Sequence, residues 1–316
     1  KGDFINKTGG NSSGPISFMN LFDTMTDVVK QGGIRRGANM GILNSNHPDI
    51  EEFISSKDGN KALRNFNISV LLMPDFWECL KKDKPYPLIN PRTNEIYKYV
   101  SANLLFEKIV YQAWESGEPG VIFFDYLNAT NPFLKGLGPL TCTNPCGELP
   151  LYPSESCNLG SINLWAFVKK EKNNSGNKFF DWHDFENSVR IGARMLDNVI
   201  DINNYPIPSI EEMSLNTRKT GLGVMGLGNM LYELSIPYNS EAGLKEMERI
   251  GESLNYFSKL ESIELSKARG KFPYYTKSFY SEGRLPFSAS LTKSNTNYDW
   301  SKVRDGIKKH GIRNSV

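Results

Sequence analysis

Apolar residues recur along this chain in two rhythms that take turns. Phe18, Leu21, Phe22, Met25, Val28 and Val29 are spaced by three and four, which predicts a helix over 15–31 with one buried face, stopped at Gly32-Gly33. Short apolar runs at 39–43 and 67–73 (Asn-Ile-Ser-Val-Leu-Leu-Met) predict buried strands, and His47-Pro48-Asp49 between them opens a helix through Ile54. Ala102, Leu105, Phe106, Ile109, Val110, Ala113 and Trp114 form a second helical stripe, stopped at Gly117. Gly120-Val121-Ile122-Phe123-Phe124 then predicts a strand, apolar without interruption as parallel-sheet strands are. Phe185, Val189, Ala193, Leu196 and Ile200 mark a long helix. A strand over 221–224 leads into a helix over 225–234, a charge-rich amphipathic helix covers 244–269, and a short one covers 300–310. The alternation predicts an α/β fold with a largely parallel sheet. Two stretches read as surface insertions, too polar for core: 81–99, with three prolines, and 169–178 (Lys-Lys-Glu-Lys-Asn-Asn-Ser-Gly-Asn-Lys).

Composition narrows the classes. A chain of 316 residues, 39% hydrophobic and 12% aromatic, can bury a large core in one domain or two. A net charge of +2 gives no extended basic face for duplex nucleic acid, although local basic clusters can still hold phosphate. No apolar run reaches the roughly 18 to 20 residues that cross a bilayer, and the first residues carry no signal core. The expectation is a cytoplasmic protein with neither a membrane nor nucleic acid as partner. The absent initial Met and the break at Asn314-Ser315-Val316 read as a piece of something longer.

Four cysteines are too few for a disulfide scaffold, yet Cys142, Cys146 and Cys157 crowd into sixteen positions. In Thr143-Asn144-Pro145-Cys146-Gly147-Glu148 a thiol stands beside an amide and a carboxylate, in a loop punctuated by Pro145 and Gly147. Cys157 follows eleven positions later, after two prolines. Sulfur, acid and amide within five residues are most of a redox site. Small core cysteines are the plainer reading, but a charged Glu148 is seldom buried without a purpose. The C-x3-C-x10-C spacing lacks the paired knuckles of zinc ribbons, and His47, His183 and His310 lie far away in sequence, so no metal is expected.

Three glycine-rich stretches remain. Gly221-Leu222-Gly223-Val224-Met225-Gly226 matches the dinucleotide fingerprint, but the preceding 213–220 is polar and basic, so close packing of strand on helix explains these glycines better. Gly32-Gly33-Ile34-Arg35-Arg36-Gly37-Ala38 puts two fork-shaped donors in a loop, suited to phosphate or a base edge or simply solvated. Thr8-Gly9-Gly10-Asn11-Ser12-Ser13-Gly14 sets hydroxyls and backbone donors before a helix N-terminus, either an anion site or a capped turn. Ser13, Gly14 and Ser17 are the candidates there for contacting substrate.

Taken in order, several motifs resemble the catalytic subunit of ribonucleotide reductase. They are Gln31-Gly32-Gly33-Ile34-Arg35-Arg36-Gly37-Ala38-Asn39-Met40-Gly41, His47-Pro48-Asp49-Ile50-Glu51-Glu52-Phe53-Ile54, Asn144-Pro145-Cys146-Gly147-Glu148, Ser156-Cys157-Asn158-Leu159-Gly160-Ser161-Ile162-Asn163-Leu164 and His310-Gly311-Ile312-Arg313-Asn314-Ser315. The Asn-Pro-Cys-Gly-Glu form with a double-arginine loop resembles the adenosylcobalamin-dependent class II. The resemblance implies a ten-stranded α/β barrel with a central finger loop carrying Cys146. By it, Cys146 becomes a thiyl radical, shielded from solvent, that takes the 3′ hydrogen of a ribonucleotide. Glu148 removes the 3′ hydroxyl proton, Asn144 holds the sugar hydroxyls, and Cys157 is one of two cysteines that supply electrons and close to a disulfide. Lys30, Gln31, Arg35 and Arg36 fall in the loop that relays a bound dNTP or ATP effector to the choice of substrate.

The implied cofactor is adenosylcobalamin and the implied electron donor thioredoxin or glutaredoxin, with a homodimer among the assemblies allowed. The chain departs from the pattern in three places: the other reducing cysteine, the substrate-phosphate loop and a C-terminal cysteine pair are all missing. The expectation is therefore an incomplete catalytic barrel domain over 1–316 that does not turn over alone. A class I large subunit and a non-catalytic nucleotide-binding remnant are the competing readings, and Cys142 has no assigned role.

Overall fold

A computed structural model of the chain describes residues 1–29, 37–60, 62–171, 176–286 and 297–315. They divide into two compact units, one of residues 1–130 and 139–152, the other of residues 131–138 and 153–316.

In the first unit the run 67–73 becomes the strand Phe66–Leu72, parallel on one side to Asn39–Asn44 and on the other to Gly120–Phe123. Every residue of this central strand except Asn67 is buried, as a strand covered on both faces requires. Ile50, Phe53 and Ile54 of the Ile50–Ile54 helix, Phe76 of Pro74–Lys81, and Ala102, Leu105 and Ile109 of Ala102–Ser116 complete the core. The last helix starts where Ser101 Oγ accepts from the Leu104 amide at 3.3 Å, and ends at Gly117, whose φ of 79° continues no helix.

Two expectations fail here. The 15–31 stripe does form a helix, Pro15–Val28, but Phe18, Leu21, Phe22, Met25, Val28 and Val29 are all exposed. The face turned inward is the neighbouring one: Ile16 and Met19 pack on the core, the Asp23 carboxylate accepts from the Asn65 amide at 2.8 Å, and Thr26 Oγ1 accepts from Asn39 at 2.8 Å. Periodicity finds a helix, but when two faces carry apolar residues it does not say which one packs. The 81–99 segment is no polar excursion either. Pro85–Ile89 pairs antiparallel with Ile96–Ser101, and its Tyr86 and Leu88 are fully buried in the core. The expected stop at Gly32-Gly33 lies outside the described residues.

In the second unit the strand Asn158–Asn163 runs parallel to Thr220–Met225 in the register Asn158↔Thr220 to Asn163↔Met225. The Trp182–Ile202 helix buries Phe185, Val189, Ala193, Leu196 and Ile200, the five positions its spacing marks. It packs on both strands and on the Glu241–Arg269 helix, against which Ser301–His310 also lies. Leu227–Glu233 follows Thr220–Met225, as the 221–234 pattern predicts. The 169–178 stretch begins in the strand Val168–Lys170 and ends in Lys178–Phe180, which pair antiparallel, and 172–175 lie outside the described residues.

The α/β expectation with parallel pairing stands. The parallel strands form one three-stranded and one two-stranded sheet, and no closed barrel is formed among the described residues. No described helix is long and apolar enough to cross a membrane.

Candidate active site

Cys142–Thr143 and Pro150–Leu151 pair antiparallel, Thr143 opposite Pro150, so residues 144–149 form the loop of a short hairpin. Asn144 closes that loop three ways. Its amide donates to Leu149 O at 3.1 Å, its Oδ1 accepts from the Leu149 amide at 2.9 Å, and its carbonyl accepts from the Gly147 amide at 3.0 Å. Gly147, at φ 84°, takes the left-handed conformation the turn demands, and no atom lies within 4 Å of where its Cβ would be. The tip is therefore open, and Cys146, Gly147 and Glu148 are exposed while Asn144 is half-buried. With its oxygen used by the loop, the Asn144 side chain keeps its two Nδ2 donors for another group.

The hairpin is moored to the sheet. Asn67 Nδ2 donates to Pro145 O at 2.6 Å, so the polar residue that interrupts the buried strand holds the residue before the thiol. Sequence reasoning takes Asn67 only as the start of a strand; a lone amide in an apolar run was the available signal.

The structure thus brings Asn144, Cys146 and Glu148 onto one loop, as expected. Cys146 is exposed, so the described residues do not supply the shielding expected for its sulfur. Ser13, Gly14 and Ser17 come together elsewhere, at the start of the Pro15–Val28 helix. Ser17 Oγ donates to Ser13 O at 3.1 Å, and Gly14 is buried at φ 86°. Gly14 lines a pocket of about 200 Å³ with His47, Asp49, Asn90 and Arg92. Burial lowers the pKa of His47, and its Nδ1 accepts from the Asp49 amide at 3.0 Å. Lys30, Gln31, Arg35 and Arg36 lie outside the described residues.

Cys157, in the second unit, is half-buried just before the Asn158–Asn163 strand, its thiol donating weakly to Asn158 O at 3.4 Å. Gly221, the first glycine of the fingerprint-like motif, lies alongside on the paired strand, where a Cβ would sit 3.4 Å from Cys157 Sγ and collide with the Leu159 side chain. Gly221 thus serves packing. Among the described residues no group of three His, Cys, Asp or Glu side chains is placed to hold a metal ion.

The comparisons with known proteins agree with the motifs. The family model "Ribonucleotide reductase, barrel domain" matches residues 1–316. The chain is 48% identical over 285 residues to a vitamin B12-dependent ribonucleoside-diphosphate reductase of Thermoplasma acidophilum, covering 90% of this chain and 36% of that protein. It is 39% identical over 292 residues to the protein of that name from Mycobacterium tuberculosis, covering 92% and 41%. To the ribonucleoside-diphosphate reductase subunit alpha of Chlamydia pneumoniae it is 32% identical over 361 residues, covering 99% and 34%. It thus spans about a third to two fifths of the length of these relatives. By its full-length match to that barrel domain, the chain belongs to the ribonucleotide reductase family.

Proposed function

We propose that residues 1–316 form part of the catalytic barrel domain of a class II reductase, which converts ribonucleotides to 2′-deoxyribonucleotides for DNA synthesis. The observation that carries this reading is the 142–151 hairpin, which puts thiol, carboxylate and amide on one loop and takes the part of the finger loop. The open tip suits a radical that arrives from outside the protein. Adenosylcobalamin, when bound, would supply that radical at Cys146.

The chain's own residues do the rest. Cys146, as a thiyl radical, takes the 3′ hydrogen of the ribose. Glu148, two positions along the same turn, accepts the 3′ hydroxyl proton, as a general base within reach of the same sugar face does. Asn144 Nδ2 donates to the sugar hydroxyls. The 2′ hydroxyl leaves as water, and two electrons and two protons come from two thiols, Cys157 and a second cysteine placed outside residues 1–316, which close to a disulfide; Glu148 gives the hydroxyl proton back, and Cys146 returns the hydrogen to C3′ and is again a thiyl radical. A dithiol protein of the thioredoxin type reopens the disulfide. Water must be kept from the radical; substrate, cofactor and the remainder of the barrel are its covers in this reading.

Ser13, Gly14 and Ser17 are assigned to the substrate, and the loop with Lys30, Gln31, Arg35 and Arg36 to dNTP or ATP effectors. The exposed Phe18–Val29 stripe supports a homodimer. The test is deoxynucleotide formation by the full-length protein with ribonucleotide, adenosylcobalamin and a dithiol. Cys146→Ser is expected to abolish it, and Glu148→Gln to slow it by about 10² to 10⁴. Product formed by Cys146→Ser, or formed as fast without the cobalamin, would sink the reading.

A further inference from the structure

The side chains on either side of Cys157 are tied down. The Glu155 carboxylate accepts from Lys219 Nζ at 2.6 Å with none of its side chain exposed. Ser156 Oγ and Ser214 Oγ lie 2.6 Å apart, and Asn158 Nδ2 donates to Leu196 O at 2.7 Å. The ladder Asn158↔Thr220, Leu159↔Gly221 fixes the backbone that follows. The Cys157 thiol donates weakly to Asn158 O at 3.4 Å. The residue lines a pocket of about 150 Å³ with Ser156, Asn203, Tyr205, Ser214 and Lys219.

The charges around this pocket are unevenly placed. Among the described residues of its wall, Lys219 is the one basic side chain and there is no carboxylate, since its partner Glu155 is not part of the wall. The Tyr205 hydroxyl turns to Ile200 O at 3.0 Å. Behind the wall, Asp201 of the Trp182–Ile202 helix is taken by Arg218 at 2.6 Å. The Pro208–Thr217 helix contributes only the neutral Ser214.

We propose that Lys219, which lines the same pocket as Cys157 and whose ammonium is held by Glu155, is a positioning residue for Cys157, so that the sulfur leaves or attacks as a thiolate. The inference rests on the reading of Cys157 as a reducing cysteine. When an external dithiol reopens the disulfide, its thiolate attacks one sulfur and the S–S bond breaks. The departing sulfur takes the electron pair. The dithiol's second thiolate then displaces the first, leaving two cysteine thiols and an oxidised dithiol. A sulfur of lower pKa departs faster, and a neighbouring cation stabilises the charge it takes up.

The measurement is the rate at which iodoacetamide alkylates Cys157 in the reduced full-length protein. It is followed by peptide mass across about pH 6 to 10, the range around the ordinary thiol pKa. Lys219→Met is expected to raise the midpoint and slow alkylation at neutral pH by about three- to tenfold, a pKa unit being tenfold. Lys219→Arg, which keeps the charge, is expected to keep the profile within about twofold. Because Lys219→Met takes away the cation that pairs with a buried carboxylate, Glu155→Gln/Lys219→Met is the control that removes both charges together; it too is expected to alkylate slowly. An unchanged profile in the double variant overturns the proposal. The readout needs no nucleotide reduction: multiple turnovers surviving Cys157→Ser would overturn the redox role of Cys157, while a shifted profile would still support its coupling to Lys219.

Discussion

Lys259 lies on the Glu241–Arg269 helix with 2% of its surface exposed, its Nζ donating to Asn255 Oδ1 at 2.7 Å. Burial pushes its pKa down from 10.5 to about 8. Between those values the unfolded chain holds a proton that the folded chain has released. Stability therefore rises with pH through that window and is lost as pH falls back toward 8. Above about pH 10 tyrosines take over with the opposite sign, since burial pushes the Tyr280 hydroxyl up. Chemical denaturation is expected to show a more stable protein at about pH 9.5 than at 8, and Lys259→Met to flatten the difference. Residue chemistry of this kind was only half legible. Asn144, Cys146 and Glu148 could be read because Pro145 and Gly147 announce the turn that gathers them. Asn67 and Lys219 could not, since the groups they hold are 78 and 64 residues away and no local pattern records that.

At the scale of elements the glycines of 221–226 are the sharpest test. Gly226 has φ 73°, and a Cβ there would collide with Asn163 Oδ1, the atom that accepts from the Trp165 amide at 3.2 Å. Gly226→Ala is expected to cost about 2 kcal/mol or more, read as a lower denaturation midpoint. Gly228, inside the Leu227–Glu233 helix with open space around it, is the contrast, and Gly228→Ala is expected to be neutral or stabilising by up to about 1 kcal/mol. The period-3.6 stripes located the longer helices but not Pro208–Thr217, and the apolar runs located four of the five parallel strands among the described residues, leaving Asn158–Asn163 unread. The Pro85–Ile89 strand was hidden by its prolines, which signal loop in a sequence but are tolerated on an edge strand paired along one side. The Pro15–Val28 helix had two apolar faces, and the sequence pattern favoured the one left in solvent.

At the scale of the whole second unit, cohesion gathers on a carboxylate. Asp197 is fully buried, its Oδ1 accepting from Arg218 at 2.6 Å and from Asn314 at 3.0 Å, and its Oδ2 from Arg269 at 2.9 Å. One side chain thereby joins the Trp182–Ile202 helix, the turn after Pro208–Thr217, the end of Glu241–Arg269 and the segment after Ser301–His310. Arg218→Met should leave that charge poorly matched and cost about 3–5 kcal/mol in denaturant unfolding, whereas the more exposed Arg269 should matter less when changed to Met. A net charge of +2 disclosed nothing of this hub, because composition counts charges without saying which are buried together.

The mooring of the hairpin has a consequence of its own. Asn67 grips a main-chain oxygen, an atom that every amino acid offers in the same place. The side chains of Cys146 and Glu148 can thus be traded to alter reactivity without casting the turn adrift. Among the described residues, its aim is vested in a strand amide outside the loop.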